Sequence, residues 1–524
     1  MLFNSYEFLF LFLPVVFAGF FGFARFGHNI SAIWLSLASL FFYGWWSPKY
    51  VWLLLFSILF NYSLGYLIGH VATRARSRAF LILAITVNLL LLGFFKYANF
   101  FIGNINEISG DTFTFASIIL PLGISFFTFT QIAYLVDVHR GIAREYNFNH
   151  YLLFVTYFPH LIAGPVLHHG QMMPQFGQSE TYRLRLDKVA VGLGIFTIGL
   201  VKKVLFADSF AEYTDPVFAA AQQGVQPDFI EAWTGTLAFT LQLYFDFSGY
   251  CDMAIGVSLL FGIKLPINFN SPYKAPNIIE FWRRWHMTLS QFLRDYLYIP
   301  LGGNRNGSVL RHANLMITMV LGGLWHGANW TFVVWGALHG VYLVVNHLWR
   351  SLFGKWIPVQ GVSSRIYCVA ATALTFVCVM VAWIFFRSDS WHAAILMLKG
   401  CFGLGGISLP SKGAGIVESF GALGHLLPSG VSFGGVFLNI PAMGAMGGVA
   451  PFAKLVVVGL LLVWFAPNCQ HLFNYDGQGS AKGGRSRWDF AWQPKPWFGI
   501  LLGCLFYLAI SKLDKVSPFL YYQF

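Results

Sequence analysis

Leu315-Met-Ile-Thr-Met-Val-Leu-Gly-Gly-Leu-Trp-His326-Gly-Ala-Asn329-Trp-Thr-Phe-Val-Val-Trp-Gly-Ala-Leu-His339-Gly-Val-Tyr-Leu-Val-Val345 is a stretch without a formal charge. About 20 apolar residues cross the hydrocarbon core of a bilayer, so this run is too long for one straight crossing. Gly322, Gly323, Gly327, Gly336 and Gly340 interrupt it. The pattern predicts two helices joined near Gly327 to Thr331, with His326 held at the break in the protein interior. Irregular backbone at membrane depth is tolerated only where protein buries it or where it lines a wet cavity. His326 is therefore expected to have access to substrate. An ionisable side chain at this depth marks a functional site unless a structural partner accounts for it.

The rest of the chain has the same character. Of 524 residues, 57% are hydrophobic and 10% charged, against about 25% charged in soluble domains. Apolar runs of spanning length recur near 8–24, 30–46, 51–71, 79–101, 118–136, 188–201, 232–262, 315–349, 366–386, 452–467 and 495–512. They predict an all-α polytopic membrane protein of about 11–12 transmembrane helices. The runs are continuous rather than alternating, which argues against a transmembrane β-barrel. No basic residue precedes the first run and no clean cleavage site follows it, so it reads as a retained helix and not a signal peptide. Phe158-Pro-His-Leu-Ile-Ala-Gly-Pro165 breaks its own hydrogen-bond ladder with two prolines and a glycine, and is predicted to be re-entrant or broken.

The net charge of +12 is spread among inter-helix loops, as the positive-inside bias of membrane proteins requires, and does not imply nucleic acid. Arg25, then Arg74, Arg76 and Arg78, then Arg140 and Arg144 fall in alternate loops if the N-terminus starts outside. The six cysteines lie in or beside apolar runs without C-x-x-C spacing, which argues against a zinc site or a disulfide framework. Neither a fixed-period repeat nor an inverted pair of hydropathy blocks is visible, which weakens a transporter reading.

Between 264 and 311 charges arrive together with aromatic residues. A helix is predicted from Ile278, capped by Asn277 with Glu280 three positions on, and Phe281, Trp285, Thr288, Leu289 and Phe292 form its apolar stripe. It is expected at the interface or tucked under the bundle, with His286, Ser290 and Arg294 on one polar row. Tyr244-Phe-Asp-Phe-Ser-Gly-Tyr-Cys-Asp252 is a second polar cluster, apparently interrupting run 232–262. Asp246 and Asp252 there either line the same cavity or satisfy broken-helix backbone. Arg283, Arg284 and Arg294 beside Trp and Tyr suit either the phosphates and adenine of coenzyme A or lipid headgroups. The glycine-rich stretch 402–450 reads as a long loop with short hydrophobic or re-entrant pieces.

These strings resemble a known family. Gln242-Leu-Tyr-Phe-Asp-Phe-Ser-Gly-Tyr250, Glu280-Phe-Trp-Arg-Arg-Trp-His286, Leu293-Arg-Asp-Tyr-Leu-Tyr298, Leu301-Gly-Gly-Asn-Arg305 and Leu321-Gly-Gly-Leu-Trp-His-Gly-Ala-Asn329 are similar to the membrane-bound O-acyltransferases. So are Phe94-Phe-Lys-Tyr-Ala-Asn99 and Leu120-Pro-Leu-Gly-Ile-Ser-Phe126. The nearest branch is the bacterial one of alginate and peptidoglycan O-acetylation, and the resemblance runs from residue 1 to about 390. It implies a ring of transmembrane helices, with re-entrant and interfacial helices, around a central tunnel. Residues 1–145 would form N-terminal helices, 146–390 the catalytic core, and 391–524 C-terminal helices with the glycine-rich loop.

The resemblance further implies that His326 and His286 are catalytic. Asn329, Trp325, Ser290, Arg283, Arg284, Arg294 and Asp246 are the candidates for substrate binding, and no metal is expected. The implied donor is cytoplasmic acetyl-CoA. The implied acceptor chain is a periplasmic partner of the SGNH-hydrolase type that esterifies a polysaccharide, alginate-like or peptidoglycan, at a bacterial inner membrane. His326 is either a general base on the acceptor hydroxyl or a transiently acylated nucleophile. Alternatives are the same fold moving D-alanyl or a lipid chain, or a transporter whose buried histidines relay protons.

Overall fold

Helices follow the apolar runs closely. The computed structural model describes residues 1–110, 118–143, 146–162, 164–356, 360–408, 431–432, 439–440, 449–477, 492–493, 495–513 and 519–520, so most of the 402–450 stretch lies outside the described residues. Pro48–His70, Arg74–Ser109, Leu186–Gln222, Trp330–Trp356 and Gly361–Arg387 are each long and apolar enough to cross a bilayer. Phe8–Phe23, Ala450–Trp464 and Pro496–Ile510 are shorter apolar helices. At about 1.5 Å per residue such helices fall short of the roughly 30 Å hydrocarbon core. Ile407–Ser408 pairs in parallel with Val431–Ser432, the single strand pairing among the described residues.

Helix Phe229–Leu260 is the buried axis of the second half, and nearly every residue in it is inaccessible. It is continuous, contrary to the break expected around Tyr244–Asp252. The polar residues there do not interrupt the helix because the neighbouring helix supplies their partners: Lys202 pairs with Asp252 at 2.6 Å and Lys203 with Asp246 at 2.7 Å. Its start is fixed by a capping box in which Asp228 and Glu231 each accept the other's backbone N–H.

The two helices meet along reciprocal glycines. A Cβ on Gly192 would stand 2.7 Å from the Gly256 carbonyl oxygen, and one on Gly199 would stand 2.6 Å from that of Gly249. Each pair is seven residues apart on its own helix, and the antiparallel match lets the backbones touch where helices in lipid gain most from van der Waals packing.

The first half packs around Tyr134, Tyr151, Phe154 and Phe158 in one apolar core, and the second around Phe239, Trp285, Trp335 and Trp383 in another. A small third cluster, Phe126, Ala133, Val166, Leu289, Phe292, Leu293 and Trp325, lies at the seam. The segment around Phe158 is broken as expected: Phe148–Thr156 ends at Tyr157 with ψ 110°, and Phe158–Leu161 follows, all buried.

Candidate active site

The long apolar run divides where the sequence places the break. Helix Gly307–His326 ends at Gly327 in extended backbone, and Trp330–Phe353 begins after the Asn329 cap. Of the interrupting glycines, only Gly327 ends a helix. A Cβ on Gly323 would meet the Phe332 oxygen at 2.2 Å, and one on Gly336 the Met319 oxygen at 2.3 Å. These two allow the helices to fold back on each other, which sets the last turn bearing His326.

The His326 ring is buried in a box of aromatic rings, with centroids of Trp325 at 4.9 Å, Trp335 at 5.0 Å and Phe386 at 5.3 Å. The His286 ring lies 6.4 Å away, tilted by 60°, and Phe247 meets it edge-on at 4.8 Å. The structure thus brings together two histidines that are 40 positions apart in the chain.

His286 arrives there by a different local structure from the one expected. The predicted single helix is two short ones, Ile278–Trp282 and Met287–Leu293, followed by a π-helical turn at Arg294–Tyr298. His286 sits between them in the left-handed region, φ 44° and ψ 52°, a conformation that costs a bulky residue of order 1 kcal/mol or more. The polar row of His286, Ser290 and Arg294 therefore does not exist: Ser290 donates to the Trp282 carbonyl and Arg294 turns to Asp295.

Asn268 holds the strained position. Its main-chain oxygen accepts the Met287 N–H, and its side-chain oxygen accepts from the Thr288 N–H at 3.2 Å and the Thr288 hydroxyl at 2.9 Å. A backbone N–H can only donate, so the side-chain atom facing it is the oxygen. His286 Nδ1, 3.2 Å from that same oxygen, therefore carries its proton, which leaves Nε2 as the proton-accepting nitrogen. Composition gave no hint of Asn268, since the contact spans 18 residues and follows no helical period. Asn268→Leu is expected to lower turnover about 10²-fold, with donor KM little changed, by releasing this tautomer; initial rates across donor concentrations check it.

The other predicted residues are placed as follows. Trp325 is part of the box and also stacks on Phe129 at 5.4 Å. Asn329 is occupied at both ends, since its oxygen accepts the Thr331 N–H and its amide donates to the Asp389 carbonyl. Asp246 faces away from the histidines, toward Lys203 and the Leu520 N–H. Arg283 and Arg284 pair with Glu280, and Arg294 pairs with Asp295 at 2.8 Å, all toward solvent.

Two further groups of residues lie around the aromatic box. In one, Phe292 and Phe129 stack at 4.4 Å, above a polar group in which Tyr296 donates to Asp137 at 2.7 Å and His168 and His169 adjoin. Burial raises the Tyr296 phenol, so it stays protonated as a donor. A cavity of about 310 Å³ is lined by Lys96, Asn99, Ala328, Asn329, Arg387 and Asp389, among others, and Gly327 and Phe386 also line it. Among the described residues no cluster of ligating side chains could hold a metal ion.

A family model described as MBOAT, membrane-bound O-acyltransferase family, matches residues 80–388. A peptidoglycan O-acetyltransferase of Helicobacter pylori is 40% identical, over 100% of this chain and 98% of its own. A probable alginate O-acetylase AlgI of Pseudomonas aeruginosa is 43% identical, over 77% of this chain and 75% of its own. A teichoic acid D-alanyltransferase of Bacillus subtilis is 27% identical, over 52% of this chain and 69% of its own.

Proposed function

From the premise that the chain belongs to the membrane-bound O-acyltransferase family, and is thus a multi-pass membrane acyltransferase, we propose that it transfers acetyl from acetyl-CoA across a bacterial inner membrane toward a cell-envelope polysaccharide. The observation that carries this is the His326–His286 pair at a helix break, beside a cavity lined by Gly327 and Phe386, which adjoin His326. The acyltransferase assignment displaces the transporter alternative.

The sidedness follows from charge. Arg74, Arg76 and Arg78 stand at the start of helix Arg74–Ser109, and positive-inside bias puts that end in the cytoplasm. Lys96 and Asn99, about 33–38 Å further along the helix, line the cavity, which accordingly opens toward the periplasm. The segment bearing Arg283, Arg284 and Arg294 faces the cytoplasm, where opening of their carboxylate pairs would free three guanidinium groups for the phosphates of coenzyme A.

In the proposed reaction His326 removes the proton from an acceptor hydroxyl. That oxygen attacks the thioester carbonyl, the carbon–sulfur bond breaks, and the coenzyme A thiolate leaves. His286, with Nε2 as an acceptor, is suited to take up or relay the proton. Trp325 and the aromatic box would exclude water, which otherwise hydrolyses the acyl group.

The acceptor would be a serine-type hydroxyl of a periplasmic SGNH-type partner that passes acetyl to alginate-like polysaccharide or peptidoglycan. The full-length likeness to a peptidoglycan O-acetyltransferase and the likeness to alginate O-acetylases support acetyl rather than D-alanyl. Protein reconstituted in liposomes should release free coenzyme A thiol from acetyl-CoA only when the partner is present. Consumption of carrier-bound D-alanine, with the carrier's thiol freed and no coenzyme A released from acetyl-CoA, would overturn the donor assignment.

A further inference from the structure

The end of helix Gly307–His326 is finished by side chains from another helix. The last four carbonyls of any helix lack an intrahelical partner. Here Tyr97 donates to the Leu324 oxygen at 2.7 Å, and the Lys96 ammonium donates to the oxygens of Trp325 and, at 3.1 Å, His326. Two adjacent residues of helix Arg74–Ser109 thus cap three consecutive carbonyls of the turn that carries the histidine. A cation is also the charge that the negative end of a helix dipole favours.

We propose that Lys96 is a positioning residue for acyl transfer, acting through the main chain of Trp325 and His326 to fix where the imidazole points. This rests on the reading of His326 as the reacting group. Lys96 borders the cavity, which would suit a direct ligand of the substrate, but its hydrogen bonds are committed. An ammonium has three N–H donors, and the third lies 3.4 Å from the Ser125 hydroxyl. With all three directed at protein, Lys96 acts through the backbone rather than on the acyl oxygen. Its ammonium also stands 5.8 Å from the Trp325 ring centroid, so it braces one wall of the aromatic box.

Sequence carries a signal for this residue, a single lysine inside the apolar run 79–101, where a charge needs a reason. The reason lies about 230 residues away in the chain, beyond the reach of any local pattern.

The test compares Lys96→Met and Lys96→Arg with wild type on two readouts. In acetyl transfer with the partner present, Lys96→Met should lose about 10²-fold in kcat with donor KM within about twofold, as expected when a reacting group is displaced by about an ångström. Lys96→Arg, which keeps charge and donors, should recover most of that loss. In the second readout, the rate at which diethyl pyrocarbonate modifies His326, followed by mass spectrometry of its peptide, should change several-fold in Lys96→Met and return toward wild type in Lys96→Arg.

Unchanged kcat together with an unchanged modification rate would overturn the proposal, and so would a raised KM with kcat preserved, which would make Lys96 a substrate ligand. If Lys96→Met fails to insert, Tyr97→Phe carries the comparison. It removes one cap bond and should lower kcat several-fold, and wild-type kcat there would be contrary. Should wild type transfer no acetyl at all, the functional reading fails, while the modification rates still decide whether Lys96 positions His326.

Discussion

His326→Ala is expected to lower acyl transfer by about 10³-fold or more while leaving the protein inserted and folded. General acid–base assistance is worth about 10²–10⁴-fold, and His286, which can relay a proton, is not placed to take over the position of His326. His286 is bound through Nδ1 to Asn268 at 3.2 Å and held in a strained backbone conformation, so it cannot swing across 6.4 Å to replace its neighbour. Folding should survive because the aromatic rings around His326 also pack on one another: Trp335 on Trp383 at 5.7 Å and Phe386 on Trp335 at 5.2 Å. Thermal unfolding in detergent separates the two effects. A stable variant with wild-type transfer would remove His326 from the chemistry.

The second large effect is on stability. Lys203 is buried between Asp208 at 2.8 Å and Asp246 at 2.7 Å, its side chain 1% exposed. Asp246 also accepts the Leu520 N–H, and the Lys203 ammonium lies 4.9 Å from the Phe519 ring. One cation thus joins helix Leu186–Gln222, helix Phe229–Leu260 and the C-terminal residues. Lys203→Met leaves two carboxylates in the interior without their counter-charge, a change that costs about 3–5 kcal/mol when a buried pair is broken from one side. The exposed, solvent-screened pair Arg185–Asp187 contributes little by contrast. Lys203→Met should unfold at clearly lower temperature than wild type, and Lys203→Met combined with Asp246→Asn should recover part of the loss. An unchanged midpoint for the single variant would show that the network carries little of the stability.

That network also shows why Asp246 misleads as a candidate binding residue. A carboxylate in an apolar run signals a partner, but sequence does not distinguish a substrate from Lys203 on the next helix. The same ambiguity made Tyr244–Asp252 look like a break. Local signals place the join at Gly327, which follows from run length, and the centres of the helices, but not every limit: Arg74–Ser109 and Leu186–Gln222 extend well beyond runs 79–101 and 188–201. The helical reading failed at 283–286 because Phe281, Trp285, Leu289 and Phe292 keep a helical spacing and are all buried although the helix between them is broken. The left-handed turn at His286 depends on Asn268, and the orientation of His326 on Lys96, contacts that no periodicity encodes.

Acyl is proposed to pass from one face of the membrane to the other through His326. Sealed vesicles of known orientation would receive radiolabelled acetyl-CoA on the cytoplasmic face only, with the periplasmic partner on the opposite face. Labelled partner is expected with wild type and none above background with His326→Ala. Label reaching the partner equally in both would contradict passage through His326.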